Sequence, residues 1–171
     1  MRAAGDQVRI EGSLLQELYE AHASDAARLA FLLTGDRALA EDLVQDAFVR
    51  VTGRFLHLRD PASFHAYLRT SIVNLARSHG RRNAVERRYL ERTREPSVTN
   101  VRDRDPSDWL EMRDALLELP LRQRTAIVLR YYEDLSEARI AEILRCRPGT
   151  VKSLISRGTE RLRPLLSEEG T

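Results

Sequence analysis

The residues best suited to chemistry in this chain lie towards its C-terminal end. Thr150, Lys152, Ser153, Ser156 and Arg157 occupy the polar positions of one helical period, and Arg147 stands just ahead of them. Hydroxyl and cationic groups in such an array match base edges and phosphate oxygens. Over 137–166 seven basic residues (Arg139, Arg145, Arg147, Lys152, Arg157, Arg161, Arg163) face three acidic ones (Glu137, Glu142, Glu160), a local excess of four. A helical hairpin with a solvated basic face would have the same composition, so the segment by itself points to a polyanion and no further.

Two other groups carry charge in a pattern. Glu41, Asp42, Gln45 and Asp46 line much of one face of a helix whose other face holds Leu39, Leu43, Val44, Ala47 and Val51. A magnesium-dependent nucleotide hydrolase could use those carboxylates, but it needs a second acidic helix opposite, and no comparable cluster exists. From Arg77 to Arg94 there are seven arginines against Glu86 and Glu91, following the aromatics Phe64 and Tyr67. Such a series can stack on bases and neutralise phosphates, although a solvated arginine-rich helix end is the plainer alternative.

Other chemistries are excluded more simply. Cys146 is the single cysteine, so no internal disulfide forms, and His22, His57, His65 and His79 are too scattered for a metal cluster. No cofactor and no catalytic residue is expected. Net charge is only +2, so affinity for nucleic acid has to come from local clustering rather than an overall field. No apolar run approaches the roughly 18 residues of a membrane span, and MRAAGDQVRIEG has no apolar signal core. These features predict no membrane insertion and a cytoplasmic location.

Helices must position these groups. Apolar spacing predicts a helix over 14–33, with room for a break near His22–Ser24, then Gly35 as terminator and Asp36 as the next N-cap. Arg54–Asp60 reads as a loop. Asp60-Pro61 opens a third helix to Gly80, partly continued through Val85, Tyr89 and Leu90. Glu95–Ser107, with two prolines and alternating charge, reads as a linker. Beyond it, Trp109, Met112, Leu116 and Leu117 share a helix that stops at Pro120, and Ala126, Ile127, Leu129 and Tyr131 share another. Ser136 caps a short helix carrying Leu135, Ala138, Ala141 and Leu144; the break at 145–149 precedes a helix over Thr150–Leu162. Ala141 and Val151 stand ten residues apart, the offset at which a helix-turn-helix packs its two helices together. The predicted fold is all-α: two small helical domains, 10–94 and 108–168, joined by a flexible linker at 95–107, the second a four-helix helix-turn-helix domain.

LLTGDRALAEDLVQDAFVRV, FHAYLRTSIVNLARSHGRR and LPLRQRTAIVLRYYEDLSEARIAEILRCRPGTVKSLISRGTERLR, in that order, resemble regions 2 and 4 of the extracytoplasmic-function sigma factors of bacterial RNA polymerase, within the sigma-70 superfamily, and are similar to the actinobacterial sigma-E-like subfamily. The resemblance implies a promoter-specificity subunit rather than an enzyme. It implies that Asp42, Gln45, Asp46 and Phe48 dock on the β′ clamp helices of core polymerase, with the β flap as a second contact. It places Phe64, Tyr67, Arg69, Asn74, Arg77 and Arg81 where the −10 element is recognised and melted. Arg147, Thr150, Lys152, Ser153, Ser156 and Arg157 fall where the −35 element is read. Promoter DNA and an anti-sigma factor are the other partners it suggests. A helix-turn-helix repressor would instead be a dimer without polymerase affinity, and would need neither the acidic face nor the linker. Four positions depart from the usual family pattern: Arg145 replaces a frequent glycine, Leu154 an arginine, Tyr67 a tryptophan and Ser78 an aspartate.

Overall fold

The computed structural model describes the backbone of residues 2–58, 61–93 and 108–167, and the side chains of 13–53, 63–84 and 112–166. Every regular element among them is helical: α1 (Arg2–Thr34), α2 (Arg37–Leu58), α3 (Pro61–Thr93), α4 (Asp108–Leu117), α5 (Leu121–Ile127) with a π-helical extension (Val128–Tyr132), α6 (Glu137–Leu144) and α7 (Pro148–Ser167). The chain divides into two compact units, Met1–Leu75 and Ala76–Thr171. The division falls inside α3. The linker expected at 95–107 lies outside the described residues, as do the side chains of Arg87, Arg88, Arg92 and Arg94.

In the first unit the punctuation falls where the residue types place it. Gly35 adopts a left-handed φ of 74°, the conformation a side chain disfavours and glycine does not. Its N–H bonds the Phe31 carbonyl at 2.8 Å. Asp36 then caps α2, its carboxylate accepting from the Leu39 N–H at 3.0 Å. Leu29, Leu33, Phe64, Leu68 and Ile72 are fully buried, and each such side chain contributes about 1.5–3 kcal/mol by leaving water. Three boundaries differ from expectation. Helix α1 is unbroken, because His22 stays in register with its ring against His65, centroids 5.1 Å apart. Helix α2 continues past Gly53 to Leu58 instead of giving way to a loop at Arg54.

The third difference concerns Gly80, which does not end α3: the helix passes through it to Thr93. A Cβ on Gly80 would sit 2.6 Å from Leu121 Cδ2, so within the second unit this glycine serves close approach rather than termination. Pro120 precedes α5 as expected. Arg124 reaches back from α5 to the end of α4, donating to the carbonyls of Leu116, Leu117 and Leu119 at 3.0–3.1 Å. It satisfies acceptors that the helix end leaves open. Burial lowers its guanidinium pKa from the ordinary value.

The segment after α5 departs most from simple periodicity. Val128–Tyr132 is π-helical, with the Glu133 N–H bonding the Val128 carbonyl at 3.2 Å. The wider turn breaks the 3.6-residue period, so Tyr131 is 66% exposed while Ala126, Ile127 and Leu129 are buried as expected. Gly158 of α7 faces α5; a Cβ there would lie 2.5 Å from Ile127 Cδ1.

Candidate nucleic-acid and protein interfaces

The helix-turn-helix is built by two caps and one contact. Ser136 Oγ accepts from the Arg139 N–H at 3.2 Å and starts α6. Arg145 ends it in the left-handed conformation, φ 52° and ψ 56°. The Cys146 N–H then returns to the Ala141 carbonyl at 3.0 Å and the Arg145 N–H to that of Glu142 at 3.3 Å, which closes the helix end in the manner of a Schellman motif. Pro148 takes the first position of α7, where its missing N–H costs nothing. Ala141 and Val151 are both buried.

That packing aims the other side of α7 outwards. Thr150, Lys152, Ser156 and Arg157 are exposed and Ser153 half-buried, while Arg147 lies exposed in the turn ahead. Thr150, Ser153 and Arg157 form one stripe at helical spacing, and Lys152 and Ser156 adjoin it. All six predicted residues therefore share one surface. Ser153 Oγ also donates to the Gly149 carbonyl at 3.0 Å. Leu154 is half-buried, on the flank that packs.

On α2, Asp42, Gln45 and Asp46 are exposed as expected, and among the described residues neither aspartate has an ion-pair partner. Phe48 is not part of that surface. It is 7% exposed, with its ring centroid 4.8 Å from Tyr19 and 5.7 Å from Phe64, so its place is the core. Val49, one position on, holds the outward position instead and is 72% exposed. Asp42, Asp46 and Val49 follow an i, i+4, i+7 spacing, so the acidic face carries an apolar patch that sequence reasoning missed. Its signal was Val49 falling off the Val44, Ala47, Val51 stripe.

On α3, Phe64 is likewise interior, 0% exposed and stacked near His22 at 5.8 Å; it cannot reach a nucleic acid without unfolding its unit. Tyr67 is 42% exposed. Asn74 and Arg81 follow it at successive steps of seven residues and lie on the same stripe of the helix, with half-buried Arg77 beside them. Arg69 sits about 200° round the helix from Tyr67, where its guanidinium meets His65 Nδ1 at 3.1 Å. The structure groups Tyr67, Asn74, Arg77 and Arg81, and leaves Arg69 on another flank.

Comparison with known proteins gives these surfaces a setting. The model of sigma-70 region 2 matches residues 18–85, and that of sigma-70 region 4 matches 109–162. The ECF RNA polymerase sigma factor SigL of Mycobacterium tuberculosis is 35% identical, over 94% of this chain and 93% of its own length. The chain belongs to the extracytoplasmic-function sigma factors. The RNA polymerase sigma-E factor of Streptomyces avermitilis is 35% identical to this sigma factor over 80% of the chain and 75% of the relative. Among solved structures, the sigma factor RpoE in complex with the anti-sigma factor NepR from Bartonella quintana covers 90% of the chain and 97% of its own, at a TM-score of 0.71 and 26% identity. The acidic α2 face and Tyr67–Arg81 fall within the region 2 match, and the polar face of α7 within the region 4 match. Among the described residues no helix is long and apolar enough to cross a membrane.

Proposed function

We propose that this sigma factor binds core RNA polymerase through the α2 surface of Asp42, Gln45, Asp46 and Val49, with the β′ clamp helices as its acceptor and the β flap as a second contact. In that complex α3 offers Tyr67, Asn74, Arg77 and Arg81 to the −10 element, and α7 offers Arg147, Thr150, Lys152, Ser153, Ser156 and Arg157 to the major groove of the −35 element. Strand opening then draws on binding energy alone. Extruding a base costs a few kcal/mol, which an exposed aromatic such as Tyr67 and arginine contacts to phosphate offset. The subunit itself is not an enzyme and works in the cytoplasm, where the polymerase is. An anti-sigma factor, such as the one crystallised with the Bartonella quintana sigma factor, is a further partner.

The observation that carries this reading is the outward polar face of α7, six residues assembled on one surface by the buried Ala141 and Val151. Run-off transcription with core polymerase on a genomic fragment library tests it. Discrete start sites with shared −10 and −35 sequences are expected, and substitutions in the shared −35 sequence must lower transcript yield. Transcription indifferent to that sequence would remove α7 from promoter recognition.

A further inference from the structure

The polar face of α7 carries one charge of the wrong sign for a duplex. Glu160 stands about 180° round the helix from the buried line of Val151, Gly158 and Leu162. It follows Ser153 by seven residues, Ser156 by four and Arg157 by three, so it extends the surface that those residues share. Its side chain is exposed. Among the described residues it has no ion-pair or side-chain hydrogen-bond partner, whereas Glu142 of α6 is paired with Arg139. A lone carboxylate thus ends a face that otherwise offers hydroxyls and cations.

A carboxylate on such a face can do one of two things. At a base edge it accepts a hydrogen bond from the amino group of cytosine; beside the sugar-phosphate backbone it only repels. Position decides between them. A recognition helix reads bases with its N-terminal residues, and Glu160 comes ten residues after Thr150, about 15 Å further along the axis. The major groove is about 12 Å wide, so a straight helix seated at Thr150 has left the base edges by Glu160 and faces phosphate. We propose that Glu160 is an electrostatic brake on DNA binding, lowering the affinity of α7 for every duplex by about the same factor whatever its sequence. The benefit lies in the search. Non-specific sites outnumber promoters by orders of magnitude, and a subunit that must reach the polymerase before a promoter is held up less when its −35 helix releases arbitrary DNA. The proposal rests on the −35 reading of α7.

The test compares the full chain with its Glu160→Gln and Glu118→Gln variants by fluorescence anisotropy on two labelled duplexes. One carries the −35 sequence shared by the run-off transcripts, and the other is a random sequence of equal length. Glu160→Gln, which keeps a good helix former at an exposed position, should tighten both by about two- to fivefold and leave their ratio unchanged. The logarithmic salt slope should steepen by up to about one. Glu118→Gln changes net charge equally at the exposed residue after α4 and should alter neither affinity; an equal gain there would assign the effect to total charge and overturn the brake. Unchanged affinity in Glu160→Gln would place the carboxylate away from the duplex, and a selective loss on the −35 fragment would make it a reader of bases; either result overturns the proposal. Added random duplex should suppress run-off transcription by polymerase carrying Glu160→Gln more than by polymerase carrying the wild type, and equal suppression would overturn the role in the search. If the wild type binds both duplexes equally while Glu160→Gln tightens both, the −35 reading fails and the brake stands.

Discussion

Phe48 and Phe64 illustrate what an aromatic residue near a functional face can mean. Both were assigned to interfaces by family resemblance, yet both lie on buried stripes that their own sequence displays: Val44, Ala47, Phe48 and Val51 on α2, and Phe64, Leu68, Ile72 and Leu75 on α3. Periodicity alone would have sent them inwards. Opposite outcomes are therefore expected for neighbouring substitutions. Phe48→Ala should lower unfolding stability by about 3–5 kcal/mol in a denaturant titration, through the cavity it leaves. Asp46→Arg should keep that stability and abolish co-purification with core polymerase; retention of the polymerase would move docking off this face. On α7, Lys152→Ala and Arg157→Ala should each weaken binding to a −35 duplex by about 1–3 kcal/mol where the side chain reaches a base, and reduce the salt slope by about one where it contacts phosphate only.

At the scale of elements, caps and stops made by local chemistry were legible, and those decided by a tertiary neighbour were not. Ser136, Asp36, Gly35 and Pro120 act within a turn of themselves, so their residue types suffice. Gly80 looked like a helix end because glycine usually is one; only Leu121, 41 positions away in the chain, shows that it is a point of approach. The π-helical turn was equally hidden, because nothing in VLRYY announces an extra residue per turn, and Tyr131 was consequently placed on the packed side. Arg145 was the reverse case: it stands where the family usually has glycine, and its backbone is left-handed, φ 52° and ψ 56°, the conformation glycine adopts without strain. Arg145→Gly should raise stability by about 1 kcal/mol, by removing that strain. Gly158→Val should lower it by about 1–3 kcal/mol by overpacking against Ile127. Thermal midpoints of the two variants, moving in opposite directions, check both.

The whole molecule carries its function in a charge pattern rather than in total charge. A net charge of +2 hides an acidic α2 surface and two basic ones, on α3 and α7. That division was readable from sequence. In the docking proposed above, the α2 surface would also divide labour in time. Asp42 and Asp46 act at a distance, so neutralising them as asparagines should slow association with core polymerase and flatten its dependence on salt. Val49 acts only after contact, when its exposed side chain leaves water. Val49→Ser should leave the association rate nearly unchanged and shorten the lifetime of the complex. One residue that sequence reasoning passed over would then decide how long the polymerase keeps this promoter preference before exchanging it for another.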